Sequence, residues 1–121
     1  MMRFILPVWL ALLIAVSITP LSFKLRLHTI GPFHDFGHYA VYTMTGIFLW
    51  LVAERWWARV FAFGCGVALA LGQEWVENRM YHAGFEWKDV RTDMAGLATG
   101  LALMLLFSAL ANDADAGRYR A

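Results

Sequence analysis

The stretch MAGLATGLALMLLFSALAN, residues 94–112, runs for 19 positions without an Asp, Glu, Lys or Arg. An α-helix rises about 1.5 Å per residue, so a run of this length covers most of the roughly 30 Å hydrocarbon core of a bilayer. The stretch therefore predicts a helix that spans a membrane.

Three further charge-free runs flank this stretch on its N-terminal side. The runs 4–23 and 36–53 are long enough to predict two more spanning helices. The run 60–73 is shorter, but charged segments lie on both sides of it, so a helix of normal length there covers 57–78. We predict an all-α fold, a four-helix transmembrane bundle, with residues 1–121 forming a single membrane domain.

The composition supports a membrane protein and argues against several other classes. Of the 121 residues, 60% are apolar and 16% are charged, whereas soluble domains are about 45–50% apolar and about 25% charged. The single cysteine, Cys65, argues against a disulfide-built secreted module. The net charge of +1 argues against nucleic acid as a partner, and the lipid bilayer is the partner expected instead.

The orientation in the membrane follows from the charges at the two ends of the bundle. Four crossings place both termini on one side, and each side carries five Lys and Arg residues. The positive-inside rule therefore gives a tie. Because the other side is the acidic one, we predict that the N- and C-termini are cytoplasmic.

Most polar side chains gather at the end opposite the termini. The two loops there and the adjoining helix ends hold all four histidines and six of the nine acids: His28, His34, His38, His82, Asp35, Glu74, Glu77, Glu86, Asp89 and Asp93. Such a concentration at one membrane face predicts a functional site.

Helical spacing selects some of these residues. Asp89 and Asp93 continue into Gly96-x-x-x-Gly100 as one stripe, whose glycines let another helix approach closely. His38 and Tyr42 begin a similar stripe on the second helix, and Glu74 and Glu77 share one side of the third. A bundle with these stripes turned inward brings five candidates together: His38, Glu74, Glu77, Asp89 and Asp93.

Each candidate also has a purely structural interpretation. Asp89 or Asp93 could cap the fourth helix, and His38 could simply hydrogen-bond a carboxylate. Capping is not expected for Glu74 or Glu77 near a helix C-terminus, but either could pair with an arginine. The remaining polar residues are expected to be solvated loop residues: His28, His34, His82 and Glu86. Gly96 and Gly100 could pack within the bundle or join copies in a homo-oligomer.

The segment from Glu74 to Gly100 resembles the signature of VanZ-like membrane proteins. In that family a Glu, then a Gln three residues on, ends one helix, an Arg follows, and D-x-x-x-N-x-x-G-x-x-x-G opens the next. Glu74, Asp89, Gly96 and Gly100 match this pattern, and His38-x-x-x-Tyr42 matches the opening of an earlier helix. The resemblance covers residues 32–106 and implies a small α-helical bundle in the bacterial plasma (inner) membrane.

The sequence departs from the family pattern at four positions: Glu77 stands for Gln, Ala83 for Arg, Asp93 for Asn and His34 for Asp. The spacing of its acids is also similar to YjdF-like inner-membrane proteins. The namesake is associated with resistance to the glycopeptide teicoplanin, and the resemblance does not carry that phenotype to this chain.

Three functions are consistent with these residues. In the first, the site binds or acts on an envelope lipid or its head group, with Glu74, Asp89 and His38 as catalytic candidates. Glu77, Asp93 and Tyr42 are then the binding candidates. In the second, carboxylates and His38 hold a divalent cation that activates water. In the third, the chain is a non-enzymatic structural or interaction module.

Overall fold

The chain is all-helical in the part described by the computed structural model, which covers residues 2–17, 32–82 and 84–118. Four α-helices and no strand occur within these residues: α1 (Met2–Ser17), α2 (Pro32–Val52), α3 (Trp56–Tyr81) and α4 (Trp87–Arg118). The all-α prediction is confirmed. Residues 18–23 of the predicted first helix lie outside the described residues, as do His28 and Ala83.

Helices α2 and α4 begin earlier than the charge-free runs that predicted them. A charged residue ends such a run but need not end a helix. Helix α2 begins at Pro32, and proline suits this position because the first N–H of a helix has no partner within the helix. Asp35 and Asp89 lie in the first turns of α2 and α4, where a negative charge complements the helix dipole. His34 therefore lies on a helix, and the expectation that it is a solvated loop residue is wrong.

The most extensive contact between helices joins α2 and α4. Their contacts advance together along both helices: His34 meets Asp89 at one end, and further along Gly96 faces Tyr39. The two helices are therefore parallel neighbours, and their first turns lie side by side. Helix α3 packs against both of them.

Glycines allow this close approach of α2 and α4. A Cβ atom at Gly96 would lie 2.5 Å from the carbonyl oxygen of Tyr39, and one at Gly100 would overlap the carbonyl oxygen of Thr43. On the facing helix, a Cβ at Gly46 would lie 2.8 Å from the carbonyl oxygen of Leu97. The Gly96-x-x-x-Gly100 motif thus packs within the chain. Association of copies through the same glycines stays a prediction.

Helix α1 contacts α2 through Trp9. The indole N–H donates to Oγ1 of the fully buried Thr45 over 2.8 Å, and the ring packs edge-on against Phe48 with centroids 5.4 Å apart. Near the far end of α2, the guanidinium of Arg59 lies 3.8 Å from the ring centroid of Trp50. Arg59 Nε also donates to the carbonyl oxygen of Ala53 over 2.9 Å, just after the last residue of α2.

The outer surfaces of the helices are strongly apolar. One described stretch, Trp87–Asp113 with a mean hydropathy of 2.0, is long and apolar enough to cross a membrane, and Phe4–Ala15 is apolar but shorter. Large apolar side chains are exposed on all four helices, including Phe61 at 71% and Phe107 at 67%.

Candidate functional site

Two histidine–aspartate pairs connect the first turns of α2 and α4. His34 Nε2 lies 3.1 Å from Asp89 Oδ2, and His38 Nδ1 lies 2.8 Å from Asp93 Oδ1. The pairs repeat because residues four apart share one helix face, and both helices carry the spacing in parallel. An ionised carboxylate can only accept, so beside ionised Asp93 the Nδ1 atom of His38 carries a proton.

The two imidazole rings also contact each other, with centroids 4.6 Å apart in an edge-on arrangement. The inner pair is the more buried, because the His38 side chain is 15% exposed whereas that of His34 is 34% exposed. Both aspartate side chains are buried. The cluster is therefore partly exposed at His34 and buried at Asp93.

Glu74 of α3 reaches the start of α4. Its Oε1 atom accepts the backbone N–H of Glu86 over 2.6 Å, just before the first helical residue. The buried carboxylate thus satisfies an N–H at the terminus of a different helix, where the helix dipole favours a negative charge. The expectation that Glu74 does not cap a helix is wrong, because the helix that it caps is α4 and not its own.

We expect Glu74→Gln to cost no more than about 1 kcal/mol of unfolding free energy, because the amide oxygen can still accept from Glu86. Glu74→Ala removes the acceptor and a buried side chain, so a loss of about 2 kcal/mol or more is expected. Denaturant titration of the detergent-solubilised protein measures both, with Glu54→Ala, at an exposed acid, as control. Equal losses for the two Glu74 variants would contradict a role for the hydrogen bond.

Tyr42 and Glu77 belong to a second network, deeper along α2 and α3. The Tyr42 hydroxyl donates to Gln73 Oε1 over 2.8 Å, and Gln73 Nε2 lies 3.5 Å from Glu77 Oε1. Glu77 is also close enough to His38 and Asp93 for their charges to interact. The network therefore approaches the histidine–aspartate pairs through Glu77.

The expected arginine pairing is not seen for Glu74 among the described side chains. Arg79 instead places its guanidinium 5.3 Å from the ring centroid of Trp75. At the surface, Lys88 Nζ donates to Asp35 over 2.6 Å, and this hydrogen bond lowers the pKa of Asp35, which precedes the predicted span. Both partners of this ion pair are exposed, so it adds little stability.

The structure brings the predicted site residues to one end of the helices, but in separate contacts. His38 and Asp93 are paired, Asp89 contacts His34, and Glu74 contacts the α4 backbone. His34 is the residue that sequence reasoning missed. Two signals could have identified it: the spacing His34-x-x-x-His38 places both rings on one helix face, and Pro32 is a typical first residue of a helix.

The cluster can perform acid–base chemistry and can hold a cation. A carboxylate that binds one imidazole nitrogen orients the ring and leaves the other nitrogen for a ligand or a proton. One ligand atom each from His34, His38 and Asp89 lies within 4.8 Å of the others. No buried side-chain N or O atom among the described residues lacks a hydrogen-bond partner.

Comparison with known proteins identifies no relative of this chain. No protein-family model matches the chain, and no curated protein or solved structure matches it at a significant level.

Proposed function

We propose that this chain is an integral protein of the bacterial inner membrane, organised as a four-helix transmembrane bundle with cytoplasmic termini. Support comes from the apolar stretch Trp87–Asp113 and from the large exposed apolar side chains on every helix. In water such a surface would be costly to hydrate, whereas against lipid chains it carries no such cost.

We further propose that the histidine–aspartate cluster binds or acts on the head group of an envelope lipid. The observation that carries this proposal is the paired arrangement of His34 with Asp89 and His38 with Asp93 where α2 and α4 begin. The apolar stretch of α4 starts at the same end, so a lipid lying along α4 would present its head group to these side chains. The resemblance to VanZ-like proteins is consistent with an envelope role.

The geometry gives each proposed residue a part in this function. His34 and His38 exchange protons with the head group, and Asp89 and Asp93 orient the two rings. Glu74 holds the start of α4 in place through Glu86, and so positions Asp89. Tyr42 and Glu77 form the inner wall of the site.

The test is the set of lipids that stays bound when the full chain is purified in mild detergent. We expect native mass spectrometry to find one lipid class enriched over its share of the source membrane. His38→Gln and Asp89→Asn should lose that enrichment. Glu54→Gln, which changes an exposed acid beyond the opposite end of α2, is the matched control and should retain it.

The interpretation of this test depends on folding, because both site variants break a helix–helix contact. Each variant is therefore compared at matched helical content and thermal midpoint. Well-folded His38→Gln and Asp89→Asn proteins that keep the wild-type lipid profile would refute the lipid site. That result would favour a structural role, in which the paired polar groups only fix the packing of the helices.

A further inference from the structure

The most specific arrangement in the cluster is the set of two imidazoles and one carboxylate from His34, His38 and Asp89. These residues come from two helices that start side by side, and their ligand atoms lie within 4.8 Å of one another. Two histidines with one carboxylate are a common ligand set for divalent first-row transition metals, whereas Mg²⁺ and Ca²⁺ prefer oxygen ligands alone. We infer that these three residues bind one transition-metal ion, of the Zn²⁺ or Mn²⁺ type.

One pair, His34 and Asp89, already has the separation of two ligands on one ion. Metal–ligand bonds of about 2.0–2.2 Å place neighbouring ligands about 2.8–3.6 Å apart at angles between 90° and 109°. His34 Nε2 and Asp89 Oδ2 are 3.1 Å apart. A metal ion would therefore replace their hydrogen bond without separating the two side chains. A ligand atom of His38 lies within 4.8 Å of both, so movement of that ring completes the set.

Asp93 is positioned to hydrogen-bond His38 without itself binding the metal. It lies 2.8 Å from His38 Nδ1, so the Nε2 atom of the same ring is left to bind a metal. Metal-binding histidines generally donate their other N–H to a carboxylate or a carbonyl, which fixes the tautomer and the ring orientation. Asp93 is nearly fully buried and thus holds this contact away from solvent.

The charge around the site also favours a cation. Glu77, Glu86 and Asp89 all lie close enough to Glu74 for their charges to interact with it, so four carboxyl groups share this end of the helices. Like charges at such distances repel, and a divalent cation offsets the repulsion. The two imidazoles distinguish this site from a simple acidic cluster, because they supply the ligands that transition metals prefer.

Three protein ligands leave at least one coordination position open. Because His34 is the most exposed of the three, that position faces the membrane surface. With the ion bound, the two histidines hold the head group through the metal and no longer exchange protons with it. A phosphate oxygen suits the open position, since a bound cation neutralises the phosphate charge. This use of the ion rests on the lipid function proposed above, whereas the metal site itself rests on the ligand geometry alone.

The test is metal binding by the full chain, purified in detergent without a polyhistidine tag and stripped with a chelator. After equilibrium dialysis against Zn²⁺, elemental analysis should find one ion per chain, and the thermal midpoint should rise. His34→Gln, His38→Gln and Asp89→Asn should each lose the bound ion. Asp93→Asn should keep the stoichiometry but bind about 10–100-fold more weakly.

His82→Asn is the matched control, because His82 ends α3 in the left-handed conformation, which asparagine tolerates. It should bind Zn²⁺ like the wild type. Co²⁺ gives a second readout, since its visible absorption should disappear in the three ligand variants. Wild-type protein without stoichiometric metal, or ligand variants that bind as the wild type does, would overturn the inference.

The metal result and the lipid result are separable. Bound metal together with a lipid profile that does not depend on the site would support the metal inference and refute the lipid function. Enriched lipid that survives removal of metal by the chelator, with no stoichiometric Zn²⁺ binding, would overturn the metal inference and leave the lipid function standing.

Discussion

Alanine at Gly96 or Gly100 is expected to prevent normal packing of α2 against α4. The added methyl group would meet the backbone carbonyl of Tyr39 or Thr43, and a backbone atom cannot move aside as a side chain can. Overpacking of this kind costs about 1–3 kcal/mol, and we expect the upper part of that range at these positions. The yield of monodisperse protein and its denaturation midpoint measure the loss.

The same substitution elsewhere supplies the control. A Cβ atom at Gly64 or Gly72 of α3 would meet no atom within 4 Å. Gly64→Ala and Gly72→Ala should therefore be neutral or stabilising, because alanine is the better helix former by about 1 kcal/mol. Equal behaviour of the two pairs of variants would contradict the close α2–α4 contact.

The second large effect concerns Cys65, the single cysteine of the chain. Its side chain is exposed on α3, within the charge-free run 60–73. If α3 spans the bilayer, this thiol faces lipid chains, which a charged maleimide does not enter. We expect almost no labelling by a membrane-impermeant maleimide in sonicated membranes, and complete labelling after denaturation in SDS.

Cysteines at the two ends of the helices calibrate this experiment. In a Cys65→Ser background, Glu54→Cys and Glu86→Cys place a thiol at exposed positions outside the predicted spans. Both should label rapidly in the same membranes. Labelling of Cys65 at a comparable rate would mean that α3 lies in water, and the proposal of a transmembrane bundle would then be wrong.

The helices were predictable because charge and apolar length are local properties of the sequence. The run 94–112 predicted α4, and the shorter run 60–73 predicted α3 once its flanking charges were considered. The helix ends were less predictable, since charged residues such as Lys88 and Asp89 begin α4 as favourable first-turn residues. The clustering of acids and histidines at one end also followed from the alternation of helix direction.

The pairings within the site were not predictable from one sequence. Spacing shows that Asp89 and Asp93 share a face, but it does not show how far α4 is rotated about its axis or which helix that face meets. The contact of Glu74 with the backbone of Glu86 depends on how the short connection after α3 folds back. Such contacts depend on tertiary packing, which periodicity does not encode.

The equal spacing of the two histidine–aspartate pairs limits how α4 can slide along α2. If α4 shifted by one turn, about 5.4 Å, His34 could pair with Asp93, but His38 would then face Leu97. The carbonyl of Thr43 would at the same time meet Met104 where it now meets Gly100. A shift thus leaves two polar groups, His38 and Asp89, without their partners and creates a steric clash. The pairs and the glycines together select a single register, a role of buried polar groups that is separate from any gain in stability.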